Sequence, residues 1–180
     1  ASLAHMVVQP GGLACRCGNR GCLDTVASAS AMARRARELL KRGNSSSLYE
    51  RVQGCLDLLT GEMVVEEAER GDAVAQTVIR EATEWLGIAV ANCVNLLAPD
   101  LVVIGGTVGC VVGEYYLGSL RQSAGMYMTS IARQHTDIVA TRLGWEAVCC
   151  GAAAMAINAG LIRSISVQIP HTNSGRVAAN

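Results

Sequence analysis

Three cysteines lie within eight residues near the start of the sequence, at positions 15–22, where the chain reads Cys-Arg-Cys-Gly-Asn-Arg-Gly-Cys. Thiolates spaced this closely can surround a small, soft cation, because the glycines between them let the backbone turn sharply. His5 precedes the first cysteine by ten residues, and a Pro-Gly-Gly turn at positions 10–12 allows its imidazole to return as a fourth ligand. We therefore predict a closed structural zinc site formed by His5, Cys15, Cys17 and Cys22.

Two other interpretations use the same cysteines: a disulfide, or small buried thiols with no common partner. Cys15 and Cys17 are separated by one residue and rarely meet disulfide geometry with each other, so Cys22 is the only local partner for either. Cys55 and Cys93 fall on apolar faces and are expected to be small core residues. The chain has eight cysteines but is too long and too apolar to need a disulfide scaffold, which favours a reducing, cytoplasmic compartment.

The composition indicates one domain with an aliphatic core. Of 180 residues, 51% are hydrophobic, but only 3% are aromatic and none is Phe, as is typical of helices packed on a small sheet. The formal net charge is zero, with 15 basic and 15 acidic residues, whereas domains that grip a nucleic-acid backbone usually carry a basic surplus. We expect no nucleic-acid binding by this chain alone, and no apolar run of about 20 residues indicates a membrane span.

The spacing of apolar residues predicts a mainly helical chain that follows a short strand at Met6-Val7-Val8. Asp24 or Thr25 is expected to cap a helix that ends at Gly43, and a second helix is expected over residues 48–59. A short helix over residues 62–70 precedes the longest one, which Asp72 caps and which ends before Pro99. The basic residues of the first helix are interpreted as a solvated face rather than a phosphate or DNA patch: Arg34, Arg35, Arg37, Lys41 and Arg42.

Residues 101–104 form a short β-branched run that predicts a buried parallel strand. Gly105 and Gly106 follow it and allow close approach of a nucleotide to the backbone, although the same glycines can simply form a tight turn. A helix is expected over residues 112–123, a second strand over residues 137–142, and a helix rich in small residues over residues 145–161. The tail at 163–180 lacks periodicity and is expected to be mobile.

The histidine, the ten-residue gap, the Cys-x-Cys-Gly-x-x-Gly-Cys pattern and Asp24 together resemble the signature of the ROK family of sugar kinases and sugar-responsive repressors. The strand and glycines at 101–106, and Gly151-Ala152-Ala153, fall where that family has a strand ending in glycines and a small-residue helix. The resemblance implies an α/β fold, the carboxy-terminal lobe of an actin-like (ribonuclease H-like) protein. Residues 1–162 would form this sugar-binding lobe, with a zinc loop at 5–24.

The resemblance also implies roles for individual residues. In relatives the zinc-bound histidine, matched by His5, faces a sugar hydroxyl with its second ring nitrogen, and an acidic residue matched by Asp24 accepts hydrogen bonds from the sugar. Ser2 stands where relatives have a glutamate, so it keeps one hydrogen-bonding group but loses a bidentate acceptor. Relatives also have a glycine where this chain has Ala4. Sugar affinity is therefore expected to be weaker than in those relatives.

Two functions of the longer protein follow from the resemblance. The first is the sugar-sensing and oligomerising part of a transcriptional regulator, which would bind a sugar or amino sugar and form a homodimer or higher oligomer. The second is half of a sugar kinase acting on a hexose or N-acetylhexosamine with ATP and magnesium. Kinases of the family carry the phosphate loop and catalytic aspartate in the amino-terminal lobe, so these 180 residues alone are expected to be inactive.

The sequence of residues 23–28, together with Ser2, resembles the regulators more than the kinases, which more often have a tyrosine and an Ala-Ser-Gly run there. A third reading is a degenerate scaffold that binds no sugar.

Overall fold

The computed structural model describes residues 2–105, 116–141, 143 and 146–166. Gly106, the first part of the helix predicted over 112–123, and most of the tail predicted to be mobile lie outside these ranges. The described residues form a helix-rich α/β arrangement with a two-stranded parallel sheet, so the predicted α/β class is confirmed.

The elements follow one another along the chain with short connections. The helices are α1 (Asp24–Ala27), α2 (Ala29–Lys41), α3 (Ser47–Arg51), α4 (Gly61–Glu69), α5 (Ala73–Leu97), α6 (Leu117–Tyr127), α7 (Ser130–His135) and α8 (Ala147–Ser166). The strands are β1 (Leu101–Ile104) and β2 (Asp137–Ala140), and short 3₁₀ helices occur at Leu3–His5 and Leu56–Leu58. Helix α7 has no counterpart in the sequence prediction.

Helix α5 connects the two parts of the hydrophobic core. Asp72 caps it as predicted, because its Oδ1 accepts a hydrogen bond from the N–H of Ala75 at 2.8 Å. The first half of α5 packs on α2 and α4, with Ile79 fully buried, and the second half packs on α6. At Gly87 the two helices are so close that an added Cβ would lie 2.5 Å from Ser123 Oγ.

The two strands pair in parallel, with Leu101 opposite Asp137 and Ile104 opposite Ala140. The strand prediction at 101–104 is therefore confirmed in type and position, but the expected burial is only half right. Ile104 is buried, whereas Leu101 and Val103 are each 54% exposed. Alternate residues of a strand point to opposite faces, and among the described residues only one face of β1 is covered.

The single helix predicted between Asp24 and Gly43 is wrong, because the chain breaks at Ser28 into α1 and α2. Ser28 has an extended backbone, and its hydroxyl oxygen accepts from the N–H of Ala31 at 3.2 Å, so it caps α2. Neither proposed cap of α1 acts as one: Asp24 is the first helical residue, and the hydroxyl of Thr25 donates backwards to the carbonyl of Cys22 at 2.7 Å.

Two other predictions are also corrected. The helix expected over 48–59 stops at Arg51, because Gln53 and Gly54 take positive φ angles of 51° and 79° and turn the chain away. Cys55 is consequently exposed and not a core residue. The strand expected at Met6-Val7-Val8 is reduced to one antiparallel bridge, in which Val7 pairs with Cys22.

The short helix before α5 was predicted correctly within one residue at each end. The carboxy-terminal helix was predicted in type, but α8 runs to Ser166, five residues beyond the expected end and into the segment expected to be mobile. Side chains from 149 to 160 in α8 are exposed, including Met155 at 76% and Ile157 at 65%. Although α8 carries few charges, no helix in the described part of the chain is long and apolar enough to cross a membrane.

Candidate metal centre and adjoining cavity

The cysteine loop is held by backbone hydrogen bonds that run between its two ends. The N–H groups of Val8 and Gln9 both donate to the carbonyl of Gly21, at 2.9 and 3.1 Å. Within the loop, the N–H of Cys15 donates to the carbonyl of Asn19 at 2.8 Å. Backbone hydrogen bonds therefore fix the loop in the conformation that brings the cysteine side chains together.

Gly21 is the tightest point of this loop. Its φ is +74°, a region that residues with a Cβ rarely adopt, and an added Cβ would lie 1.7 Å from the carbonyl oxygen of Gln9. Gly18 also has a positive φ, of +94°, but an added Cβ there would meet no atom within 4 Å. Only Gly21 thus combines backbone strain with a direct clash.

The four residues predicted to bind zinc come together. The candidate ligand atoms of His5, Cys15, Cys17 and Cys22 all lie within 4.8 Å of one another. His5 Nδ1 is 3.6 Å from Cys15 Sγ, and Cys17 Sγ is 3.6 Å from Cys22 Sγ. A tetrahedral ion with metal–sulfur bonds of about 2.3 Å places its ligand atoms about 3.8 Å apart, so the group has the size and donor chemistry that zinc requires.

The three thiols differ in their surroundings. Burial, with hydrogen bonds to Cys17 and Cys15, raises the pKa of the Cys22 thiol to about 12. A hydrogen bond from the backbone of Asn19 lowers the pKa of Cys17, which lies at the surface. A divalent cation among these sulfurs favours the thiolate form of each, so metal binding would release protons.

Asp24 lies two residues after Cys22 in the sequence and lines a cavity of about 450 Å³. Leu3 and Ala4, the two residues before His5, form part of the same wall, and Gly105 closes it from the end of β1. The Asp24 side chain is 26% exposed, and its Oδ2 is 4.0 Å from Arg16 Nε. The remaining lining is mostly aliphatic, from α5 and β1, so Asp24 provides the only carboxylate among the lining residues.

The predicted sugar and nucleotide residues are therefore partly assembled. Asp24 and Gly105 line one cavity, whereas Ser2 is exposed, and neither Ser2 nor His5 is among the lining residues. Sequence reasoning missed Ser28, which also lines the cavity and whose hydroxyl donates to the carbonyl of Asp24 at 2.6 Å. A serine immediately before a run of helix-forming residues is a capping signal that could have identified it.

The model of the ROK family matches residues 1–159 of this chain. The chain belongs to the ROK family. Its relatives include both enzymes and regulators. A glucokinase of Thermotoga maritima is 34% identical over 155 residues, a match that covers 86% of this chain and 48% of that protein. A xylose repressor of Caldicellulosiruptor bescii is 32% identical over 146 residues, covering 80% of this chain and 35% of that protein.

Solved ROK structures are similar as well. The structure of a ROK family glucokinase from Streptomyces griseus, in complex with glucose and AMPPNP, matches with a TM-score of 0.75 and 32% identity, covering 86% of this chain and 50% of that one. The chain spans half or less of the length of each of these three ROK relatives.

The basic face of α2 in this ROK chain is used within the fold. Arg35 makes a bidentate pair with Glu81, with Nε and Nη2 at 2.7 and 2.9 Å from its carboxylate oxygens. Arg37 donates to the carbonyls of Leu56 and Leu59 at 2.9 and 2.8 Å. These two guanidinium groups therefore support neighbouring elements, whereas Lys41 and Arg42 at the end of α2 are exposed.

Proposed function

We propose that this chain is the sugar-binding part of a ROK protein, and that a zinc ion held by His5, Cys15, Cys17 and Cys22 orders one wall of the sugar site. The observation that carries the proposal is the assembly of these four ligands directly beside the cavity lined by Asp24. In this proposal the zinc ion and the Asp24 carboxylate belong to the same sugar-binding site.

The zinc has a supporting role. Four protein ligands complete a tetrahedral shell, so no position remains for a catalytic water. His5 Nδ1 faces Cys15 Sγ at 3.6 Å, which leaves Nε2 available to hydrogen-bond a sugar hydroxyl. In this arrangement the metal fixes the imidazole, and the imidazole orients the ligand.

Asp24 is the acceptor for sugar hydroxyls, since a carboxylate makes shorter and stronger hydrogen bonds than a neutral oxygen. The aliphatic wall of the cavity suits the C–H face of a pyranose, which is apolar. Neither Ser2 nor His5 is among the residues that line the cavity. The affinity of the site therefore rests mainly on Asp24, with His5 contributing from beside the wall formed by Leu3 and Ala4.

We assign the longer protein to the sugar-responsive regulators, because residues 23–28 read Leu-Asp-Thr-Val-Ala-Ser and resemble the regulators of the family. The 32% identity to a xylose repressor supports this assignment. A sugar kinase is the second candidate, supported by the 34% identity to a glucokinase over more of the chain. As a kinase, the protein would also bind ATP and magnesium, with Gly105 near the nucleotide.

Calorimetry on the full-length, zinc-loaded protein tests sugar binding. Glucose, xylose and N-acetylglucosamine should be titrated into the wild type, Asp24→Asn, and Asp57→Asn as a control for the loss of an exposed carboxylate. We expect one sugar to bind the wild type and the control equally, and Asp24→Asn to weaken it at least about tenfold while zinc content stays unchanged. Unaltered binding in Asp24→Asn would refute the assigned role.

The choice between regulator and kinase needs a separate measurement on the same protein. Sugar-dependent release from operator DNA with no ATP consumption supports the regulator. Sugar-dependent formation of ADP supports the kinase and overturns the assignment.

A further inference from the structure

The sulfur atoms of Cys17 and Cys22 lie 3.6 Å apart, although the two residues differ in their exposure to solvent. Cys17 is exposed at the surface of the loop, whereas Cys22 is fully buried. A small reagent in solution can therefore reach Cys17, while Cys22 is shielded from it. Any product formed on the sulfur of Cys17 would lie beside a second sulfur that solvent does not reach.

The loop between these two cysteines can bring their sulfurs into bonding distance. A disulfide bond is about 2.05 Å long, so sulfurs that are 3.6 Å apart have only a short way to move. Gly18 follows Cys17 with a φ of +94°, and an added Cβ there would meet no atom within 4 Å, so this end of the loop has room to move. Cys22 is held at the other end, because it pairs with Val7 in an antiparallel bridge. Movement of Cys17 towards a stationary Cys22 is therefore sufficient.

Cys15 is a poorer partner for Cys17. One residue separates the two, and cysteines at this spacing rarely meet disulfide geometry with each other. Cys15 is also buried, its N–H donates to the carbonyl of Asn19 at 2.8 Å, and its sulfur lies 3.6 Å from His5 Nδ1. These contacts hold Cys15 in place and leave Cys22 as the partner of Cys17.

We propose that Cys17 and Cys22 form an oxidation site, at which a hydroperoxide converts the two thiolates to a disulfide and the zinc ion is released. This inference rests on the zinc site of the proposed function. A tetrahedral site that loses two of its four ligands keeps only Cys15 and His5, and a disulfide sulfur carries no charge to attract a cation. Oxidation would therefore detach the imidazole of His5 from the metal and remove the order that the metal gives to the loop.

The reaction consumes one molecule of hydrogen peroxide for each pair of thiolates. The thiolate of Cys17 attacks one peroxide oxygen, the O–O bond breaks, hydroxide leaves, and Cys17 becomes a sulfenic acid. The thiolate of Cys22 then attacks the sulfur of this sulfenic acid, so that the S–S bond forms, the S–O bond breaks and a second hydroxide leaves. The two sulfurs lose two electrons, and the two peroxide oxygens gain them. A soluble dithiol reverses the oxidation by thiol–disulfide exchange.

Peptide analysis after peroxide treatment tests the proposal. Trypsin cleaves after Arg16 and Arg20, so each cysteine of the loop falls in a different peptide. The full-length, zinc-loaded protein should be treated with about a twofold molar excess of hydrogen peroxide, alkylated and digested. We expect a disulfide that joins residues 17–20 to the peptide beginning at Gly21, and release of about one zinc ion per chain to a chromogenic chelator. Dithiothreitol and added zinc should restore the starting state.

Two variants separate the steps of the reaction. Cys22→Ser lacks the second thiolate, so oxidation should stop at a sulfenic acid on Cys17, which dimedone labels in the peptide of residues 17–20. Cys55→Ser lacks an exposed thiol that is not among the four clustered ligands. It should form the disulfide and release zinc as the wild type does.

Three results would overturn the proposal. They are reduced Cys17 and Cys22 in protein whose Cys55 has been oxidised by the same treatment, a disulfide that includes Cys15, and a Cys17–Cys22 disulfide in protein that keeps its zinc. Zinc content measured before oxidation is a separate result. Protein purified without zinc contradicts the proposed zinc site, whereas the peptide analysis still decides whether Cys17 and Cys22 form the disulfide.

Discussion

The N–H of Leu23 donates a hydrogen bond to the carbonyl oxygen of Met6 at 2.8 Å. Met6 follows His5, and Leu23 lies between Cys22 and Asp24 in the sequence. This one bond therefore joins the histidine end of the His5–Cys15–Cys17–Cys22 cluster to the start of α1. Leu23 is also buried against the α5 core, so the junction is anchored to the rest of the fold. Metal loss should loosen the loop and leave the core intact.

Cys17→Ser is expected to release the metal and lower the melting temperature only moderately. Structural zinc stabilises isolated zinc fingers by about 10–16 kcal/mol, but here a separate aliphatic core holds most of the fold. Sugar affinity should fall severely, because binding would then have to order His5 and Asp24. Elemental analysis measures the loss of metal, calorimetry the sugar affinity, and thermal unfolding the melting temperature.

Cys55→Ser is the matched control for this change, since Cys55 is also exposed but is not among the four clustered ligands. Zinc content and sugar affinity should match the wild type. Sugar affinity that survives in metal-free Cys17→Ser would separate the metal from recognition.

Gly21→Ala is expected to abolish metal binding, and Gly18→Ala to weaken it much less. Both positions have positive φ, which costs a residue with a Cβ about 1–2 kcal/mol. At Gly21 the new Cβ would also lie 1.7 Å from Gln9 O, a backbone atom that can move away only if the loop opens. Zinc titration with a chromogenic chelator compares the two variants. Equal zinc affinities would show that the loop relaxes around the clash.

The clustering of His5, Cys15, Cys17 and Cys22 was predictable from sequence because these residues lie close together along the chain. Three cysteines with glycines between them have few structural roles other than binding one ion together. A single turn at residues 10–12 is enough to bring the histidine back to them. The cap of α5 at Asp72 and the helix stop at Gly71, whose φ is +96°, are local signals of the same kind.

Errors in the prediction came from competition between signals. Apolar spacing continues through Ser28, but the capping preference of the serine hydroxyl outweighs it and breaks the helix. Gln53 has a positive φ that no sequence rule anticipates for glutamine. The exposed side of β1 and the close approach of Gly87 to Ser123 depend on contacts between distant elements, which periodicity within one segment does not encode.

Helix α8 is expected to limit the solubility of this 180-residue chain, because its apolar side chains between residues 149 and 160 are exposed. Ile157→Lys should reduce light scattering on concentration without lowering the melting temperature, since Ile157 is 65% exposed. Ile79→Lys makes the same chemical change at a position that is 1% exposed in the core, and should unfold the protein. A large loss of stability in Ile157→Lys would mean that α8 is packed in solution.

The side chain of Glu67, in α4, connects this helix to α3, although it is almost fully buried. Its Oε2 accepts from the Ser47 hydroxyl at 2.6 Å, and its Oε1 accepts from Arg51 at 3.0 Å and also from Arg70. The hydrogen bond from Ser47, followed by those from the two arginines, lowers the pKa of the Glu67 carboxyl against the opposing effect of burial. The folded protein therefore holds this group ionised more strongly than the unfolded chain does.

A carboxyl group whose pKa is lower in the folded protein stabilises the fold at pH values above its pKa in the unfolded chain, about 4.3. That stabilisation is lost as the pH falls through the pKa of the group in the folded protein. Glu67→Gln should therefore reduce the free energy of unfolding by about 1–2 kcal/mol at pH 7, and the difference from wild type should shrink as pH drops below about 4. Urea unfolding of both proteins from about pH 7 to below about pH 4 measures this difference in the free energy of unfolding. Glu66→Gln, which removes the 48% exposed partner of Arg51, should change stability by less than about 0.5 kcal/mol throughout. If the two variants follow the same pH curve, the Ser47–Glu67 bond does not set the acid stability of this part of the fold.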